Sequence, residues 1–317
     1  VSVSLVILCL AAFAMVAVLV SGVVGAALPW IDRFAAKLSP RHRARLWLGL
    51  AALPSVVAAL AVGASFLPAM GIGHDHCLAH GPHHPHLCPH HLGAAPGIVL
   101  VFIALVLSAR LVHVLASLGR NIQLSRDTSS SLAEASDVYS GAFVFPSDEP
   151  QAFVLGTFWP RVHVSAGLLA LGRDIVEPVL AHERVHARRR DLLWRTIFPV
   201  IAVGHLPTTT ESLRLRLCAA QEMAADAEAA DTLHGGPLKI AEALLVLARA
   251  SRVPAPGISF TGGDLKSRVH ALLEGRSRFA AWPARALLLS ALVLPALLGA
   301  SHDLIHHGLE TLLGALS

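Results

Sequence analysis

What this chain has least of is charge. Of its 317 residues, 15% are charged and 54% are hydrophobic, whereas a soluble globular domain carries about a quarter charged residues. The shortage is uneven. Val1 to Ile31 contains no charged residue, and no Lys or Arg occurs from Leu46 to Ala109. Runs of this kind exceed the roughly 20 apolar residues that cross a bilayer. They exclude an ordinary soluble domain and point to a multi-pass membrane protein. The first run also lacks the basic start and short apolar core of a secretory signal, so it reads as a retained span. Cysteine is scarce too. Cys9, Cys77, Cys88 and Cys218 are scattered and form no disulfide scaffold. The net charge of +4 is mild. In a membrane chain, basic residues mark the cytoplasmic side rather than a nucleic-acid surface, so no direct nucleic-acid partner is expected. No long internal repeat is visible.

The polar residues that are present set out an order. Spans are expected at about residues 3–29, 46–72 and 92–118, giving a membrane region over 1–120, with a fourth span at 281–300. The first turn between spans holds Arg33, Lys37, Arg41, Arg43 and Arg45 and is expected inside. The next loop, 74–91, is then expected outside. It carries His74, His76, His80, His83, His84, His86, His90 and His91 with Cys77 and Cys88. Imidazole and thiolate are good ligands for zinc, copper and nickel, so this loop is a candidate transition-metal site. A Cys77–Cys88 disulfide is an alternative in an oxidising compartment. Residues 301–317, with His302, His306 and His307, are expected on the same outer side.

Residues 121–280 are polar and mixed, and are expected to fold as a cytoplasmic domain. Val138 to Phe145, Ala152 to Phe158 and Arg161 to Ser165 read as strands of a small antiparallel sheet. Its edge could hold an extended peptide. A helix is expected from Arg173 to about Arg190, with Asp174 as N-cap and Glu177 completing a capping box. Leu192 to Pro207 is apolar but broken by Arg195 and Pro199, and reads as a helix dipping into the membrane interface. Thr208 to Thr210 reads as the N-cap cluster of a helix from about Glu211 to Leu233.

The chemistry sits in the first of these helices. His182-Glu183-Arg184-Val185-His186 is an H-E-x-x-H pattern. Four residues apart on a helix, the two histidines share a face and suit one zinc ion, with Glu183 beside them as a base toward water. A catalytic zinc site wants a third protein ligand. Glu222 is the best candidate, and Asp226, one turn on, is placed to orient a ligating histidine. Asp191 could anchor an arginine or a ligand histidine. The group that steadies the oxyanion is left open, with His205 and several arginines available.

The order of parts resembles the BlaR/MecR-type antirepressor membrane metallopeptidases. Four segments carry the likeness: AFVLGTFWPRVHVSAGLLAL (Ala152 to Leu171), VLAHERVHARRRDLL (Val179 to Leu193), QEMAADAEA (Gln221 to Ala229) and LKSRVHALL (Leu265 to Leu273). The resemblance implies a multi-pass α-helical membrane protein with an inserted α+β gluzincin-like zinc metallopeptidase domain. It implies zinc on His182, His186 and Glu222, with Glu183 as catalytic base. It further implies residence in a bacterial cytoplasmic (inner) membrane and cleavage of a winged-helix repressor, and of the enzyme itself in some members. The β-lactam sensors of that group carry a large penicillin-binding domain after the last span. Here about 17 residues follow Ala300, so a different input is expected, with the outer histidines as candidates. Two other readings stand beside it: a quality-control protease of the HtpX/Ste24 type, and a non-enzymatic metal-binding membrane protein.

Overall fold

The computed structural model describes residues 3–67, 96–134, 137–250, 258–259, 264–274 and 302–316. Among them, three helices are long and apolar enough to cross a membrane: α1 (Val3–Ala35), α2 (Pro40–Ala64) and α3 (Ile98–Glu134, counted as a span to Leu132). Large apolar side chains such as Val23, Phe102 and Leu105 lie exposed on them, as expected of surfaces that face lipid. The basic turn between α1 and α2 is built by local chemistry. Ser39 caps α2 by accepting from His42 N, and Pro40 occupies the first helical turn, where its missing N–H costs nothing. Arg43 donates from Nε to Ala35 O at 3.1 Å, capping the end of α1 with a cation. The loop 74–91 and the span expected at 281–300 lie outside the described residues.

Helix α3 differs from expectation in length. It does not stop at residue 118 but runs on through Ser129 into the polar domain. Its last turns pack on a five-stranded sheet: β1 (Asp137–Tyr139), β2 (Ala142–Phe145), β3 (Ala152–Leu155), β4 (Arg161–Ser165) and β5 (Ile258–Ser259). The strand order is β1-β2-β4-β3-β5. The sheet is mixed, not purely antiparallel, because β2 pairs with β4 in parallel. The stretch 138–145 is a hairpin rather than one strand. Ser140 and Gly141 both have positive φ (50° and 79°), the requirement of a tight two-residue turn. The third strand ends at Leu155 because Gly156 turns sharply at φ +90°, and a Cβ there would lie 2.3 Å from Trp159 O. Two serines fix α3 to the sheet: Ser125 Oγ accepts from Gly156 N at 3.1 Å, and Ser129 Oγ lies 3.4 Å from His163 Nε2.

The opposite sheet face meets α5 (Arg173–Arg189). A core forms there from Val154, Val162 and Val164 on the sheet, Val176, Val179 and Leu180 on α5, Ala225 and Ala229 on α7 (Pro207–Ala230), and Ile240 and Leu244 on α8 (Gly236–Ala250). Each fully buried aliphatic side chain stabilises by roughly 1.5–3 kcal/mol. The short α4 (Ala166–Leu169) bridges sheet and α5. Helix α9 (Leu265–Leu273) packs on α8 and α7.

Helix α7 belongs to two cores. Its first half puts Leu213, Leu217 and Ala220 against Val24 and Leu28 of α1, Leu46 and Trp47 of α2, and Phe198 of α6 (Asp191–Ile201). At 11 residues, α6 is too short to span. It descends beside α2 and turns back at residues 202–206 into α7. The corner is satisfied by the spans it meets. Gly204 N donates to Ser55 Oγ at 3.2 Å, Leu206 N donates to Ser21 Oγ at 2.9 Å, and His205 lies 3.1 Å from Ser21 Oγ and 2.9 Å from Leu50 O. Irregular backbone at that depth is tolerated only with such internal partners. Helix α7 therefore starts at Pro207, with Leu206 at the cap position, and Thr208 to Thr210 lie inside the helix rather than capping it. Residues 302–315 form α10 (His302–Ala315), whose Leu309 and Leu313 pack with Leu8, Ala12, Ala61 and Leu100 at the ends of α1, α2 and α3 remote from the polar domain.

His163 sits fully buried on β4, stacked against Phe143 and Phe153. Burial, with a smaller push from Arg161, lowers it from 6.5 to about 4. The unfolded chain therefore binds more protons between those values, and stability present above pH 6.5 is lost as pH falls toward 4. Thermal melts from pH 7 to 4.5 should show this loss, on the order of 2 kcal/mol. His163→Phe, which keeps the stack, should flatten the slope.

Candidate metal centre

Helix α5 starts at Gly172, whose backbone (φ 89°) makes the entry turn without a side-chain cap. Asp174 is inside the first turn, and Glu177 pairs with Arg173 at 2.5 Å, so the expected capping box does not form. The helix ends at Arg190, a non-glycine residue in the left-handed region (φ 55°), and α6 begins at the very next residue. That conformation costs about 1–2 kcal/mol. It folds the chain back so that Asp191 Oδ2 reaches His186 Nδ1 at 2.8 Å.

On the buried face of α5, His182 and His186 bring their Nε2 atoms within 3.0 Å of each other. Helix α7 crosses beside them and supplies Glu222, whose oxygens lie 3.5 Å from His182 Nε2 and 3.6 Å from His186 Nε2. Donor atoms of all three fall within 4.8 Å of one another. The outer nitrogens are both occupied: His182 Nδ1 lies 2.9 Å from Asp226 Oδ1, and His186 Nδ1 contacts Asp191. With a carboxylate beside each Nδ1, the two Nε2 atoms are turned toward each other and toward Glu222. Around one zinc ion with bonds of about 2.1 Å, tetrahedral donors stand roughly 3.4 Å apart, so the observed spacings fit.

The charges make the same case. Glu183, Glu222, Asp226 and Asp191 are all buried. Three guanidiniums reach them. Arg195 Nη2 donates to Glu222 Oε1 at 2.8 Å, Arg268 grips Asp226 through Nε and Nη2, both at 2.7 Å, and Arg189 Nε lies 3.5 Å from Asp191. Glu183 is the carboxyl that none of them meets, and a divalent cation beside it would favour its ionised form. Burial raises the Glu183 carboxyl, against the pull of His182 and His186, to about 7. Neither of its oxygens has a hydrogen-bond partner. A buried carboxyl left unpaired and near-neutral in pKa is suited to taking up and releasing a proton. Burial also works against ionised Glu222, but His186, His182 and Arg268 outweigh it and hold that carboxyl well below the usual range. His186 is pushed up to about 9, because Glu222 and Asp191 outweigh the cost of burying its charge.

The structure thus gathers His182, Glu183, His186, Glu222 and Asp226 at one place. Asp191 serves both of the roles left open for it, since Arg189 Nε also lies 3.5 Å away. His205 is not at the centre. It is buried between α1 and α2, so it cannot steady an oxyanion there. Two supports went unread in the sequence. Arg268 lay inside the quoted segment LKSRVHALL without a role, and Arg195 was treated as a break in an apolar run. Only the fold brings either to the carboxylates. The side chains of His302, His306 and His307, like the loop histidines, lie outside the described residues.

This arrangement is a buried His/His/Glu cluster able to hold a metal ion, with an unpaired carboxylate beside it, in a domain packed on apolar helices long enough to cross a membrane. Residues 120–275 match the model of Peptidase family M48, and this stretch contains every residue of the cluster. Over those residues the chain is similar to peptidases of that family. No solved structure matches the chain.

The purified protein should hold one zinc per chain by elemental analysis, and His182→Ala should lose it. Asp191→Ala or Arg268→Ala should weaken zinc affinity about 10- to 100-fold in chelator competition, the usual effect of removing an outer partner of a ligand.

Proposed function

We propose that the chain is a zinc-dependent endopeptidase held in the bacterial inner membrane, with its peptidase domain on the cytoplasmic face, and that it cuts a winged-helix transcriptional repressor. One observation carries the peptidase chemistry: an unpaired, buried Glu183 carboxylate beside two histidines whose outer nitrogens are both held by carboxylates. Bound at His182, His186 and Glu222, zinc would supply Lewis acidity, polarising the peptide carbonyl and acidifying water. Glu183 takes the proton of the attacking water on a carboxylate oxygen and returns it to the leaving amine nitrogen. Asp226 and Asp191 hold the two imidazoles in one tautomer throughout. Arg268 keeps Asp226 ionised for that task.

The cytoplasmic side is supported by the basic turn Arg33 to Arg45, which lies at the same end of α1 and α2 as the polar domain, since Arg43 contacts Met223 of α7. Repressor cleavage rests on the four segments that resemble the antirepressor group. An M48 match is equally what an HtpX/Ste24-type quality-control enzyme gives, so proteolysis of damaged membrane proteins is the second reading.

Co-expression with a winged-helix repressor encoded beside the gene separates the two. The full-length repressor should disappear with the wild-type chain. Glu183→Gln should slow cleavage by a factor of about 10² to 10⁴ while keeping zinc. An intact repressor alongside loss of a misfolded membrane substrate would favour quality control. Zinc-loaded protein that cleaves neither would overturn the peptidase reading.

A further inference from the structure

Beside the short re-entrant helix the protein has a trough of about 550 Å³ between α2 and the α5–α6–α7 corner. Its long axis follows one face of α2. Arg41 and Arg45, one turn apart, line its upper end together with Arg189 of α5. Leu48 and Ala52, on the same face of α2, line its lower end with Ile201 of α6. The wall thus changes from cationic to apolar along its length, and the change falls where α2 leaves the basic turn and enters its uncharged run. Trp194, 40% exposed on the facing wall, sits at that border, the level at which tryptophans settle in a bilayer. Among the described residues, no carboxylate pairs with Arg41 or Arg45.

We propose that this trough binds one anionic phospholipid, with the phosphate held by Arg41 and Arg45, beside Arg189, which is paired with Glu228 and Asp191, and an acyl chain along Leu48, Ala52 and Ile201. Charge complementarity selects an acidic headgroup over a zwitterionic one. Guanidinium forks match phosphate oxygens in pairs. A soluble anion would leave the apolar floor bare. Gly49 leaves the middle of the trough open, since a Cβ there would meet nothing within 4 Å. The headgroup end also touches Asp191 and Gln221, so the lipid stands next to the residues that support the metal centre.

The full chain, purified in mild detergent, is exchanged with phosphatidylglycerol or phosphatidylcholine and examined by native mass spectrometry. One phosphatidylglycerol should be retained, in preference to phosphatidylcholine by at least about tenfold. The Arg41→Gln/Arg45→Gln variant should retain it on the order of 20-fold less, since each basic residue at an anionic surface contributes roughly fivefold. Both side chains are exposed and, among the described residues, free of ion pairs, so its thermal melt should be unchanged. Gly49→Leu favours the helix but fills the trough, and should abolish retention of either lipid. Equal retention of the two lipids, or undiminished phosphatidylglycerol binding in either variant, overturns the proposal. The readout is independent of peptidase activity.

Discussion

Four carboxylates buried around two histidines would repel one another and shed water at great cost unless counter-charge were built in. Much of the domain is arranged to supply it. Arg268 comes from α9, Arg195 from α6, and the two imidazoles from α5, while the carboxylates themselves are divided among α5, α6 and α7. None of these elements reaches the centre without the others. An unpaired buried charge costs several kcal/mol, so each carboxylate here depends on a counter-charge brought by another element.

Helix α7 connects that centre to the membrane. Its first half packs on α1, α2 and Phe198, and its second half packs in the core shared with the sheet. Glu222 lies where the two halves meet. Helix α3 makes a second connection, running from its apolar start to the outer face of the sheet, where Ser125 and Ser129 hold it. The re-entrant corner at Gly204 to Leu206, tied to Ser21, Leu50 and Ser55, keeps the peptidase domain seated against the spans.

Local patterns were legible wherever one short segment contained the whole reason. The two histidines and Glu183 follow from four-residue spacing on an amphipathic helix, and Glu222 with Asp226 from the same spacing downstream. The uncharged runs marked α1, α2 and α3. Differences fell where a neighbouring glycine or proline, or a partner from another element, decided the outcome. The capping box at Asp174 lost to Gly172. The threonines before α7 were overridden by Pro207 and by the corner docking on Ser21. The sheet became mixed because β4 inserts between β2 and β3.

The sequence by itself therefore determined the kinds of group at the centre and the presence of spans, since spacing and hydropathy act within a single helix. Only the tertiary structure decided what surrounds the centre. Asp191 turns back through a strained Arg190, and Arg268 arrives from 42 residues beyond the carboxylate it grips. The counter-charge that keeps a buried carboxylate ionised can come from any element able to reach it. No linear pattern specifies which one does, because that choice is made by packing.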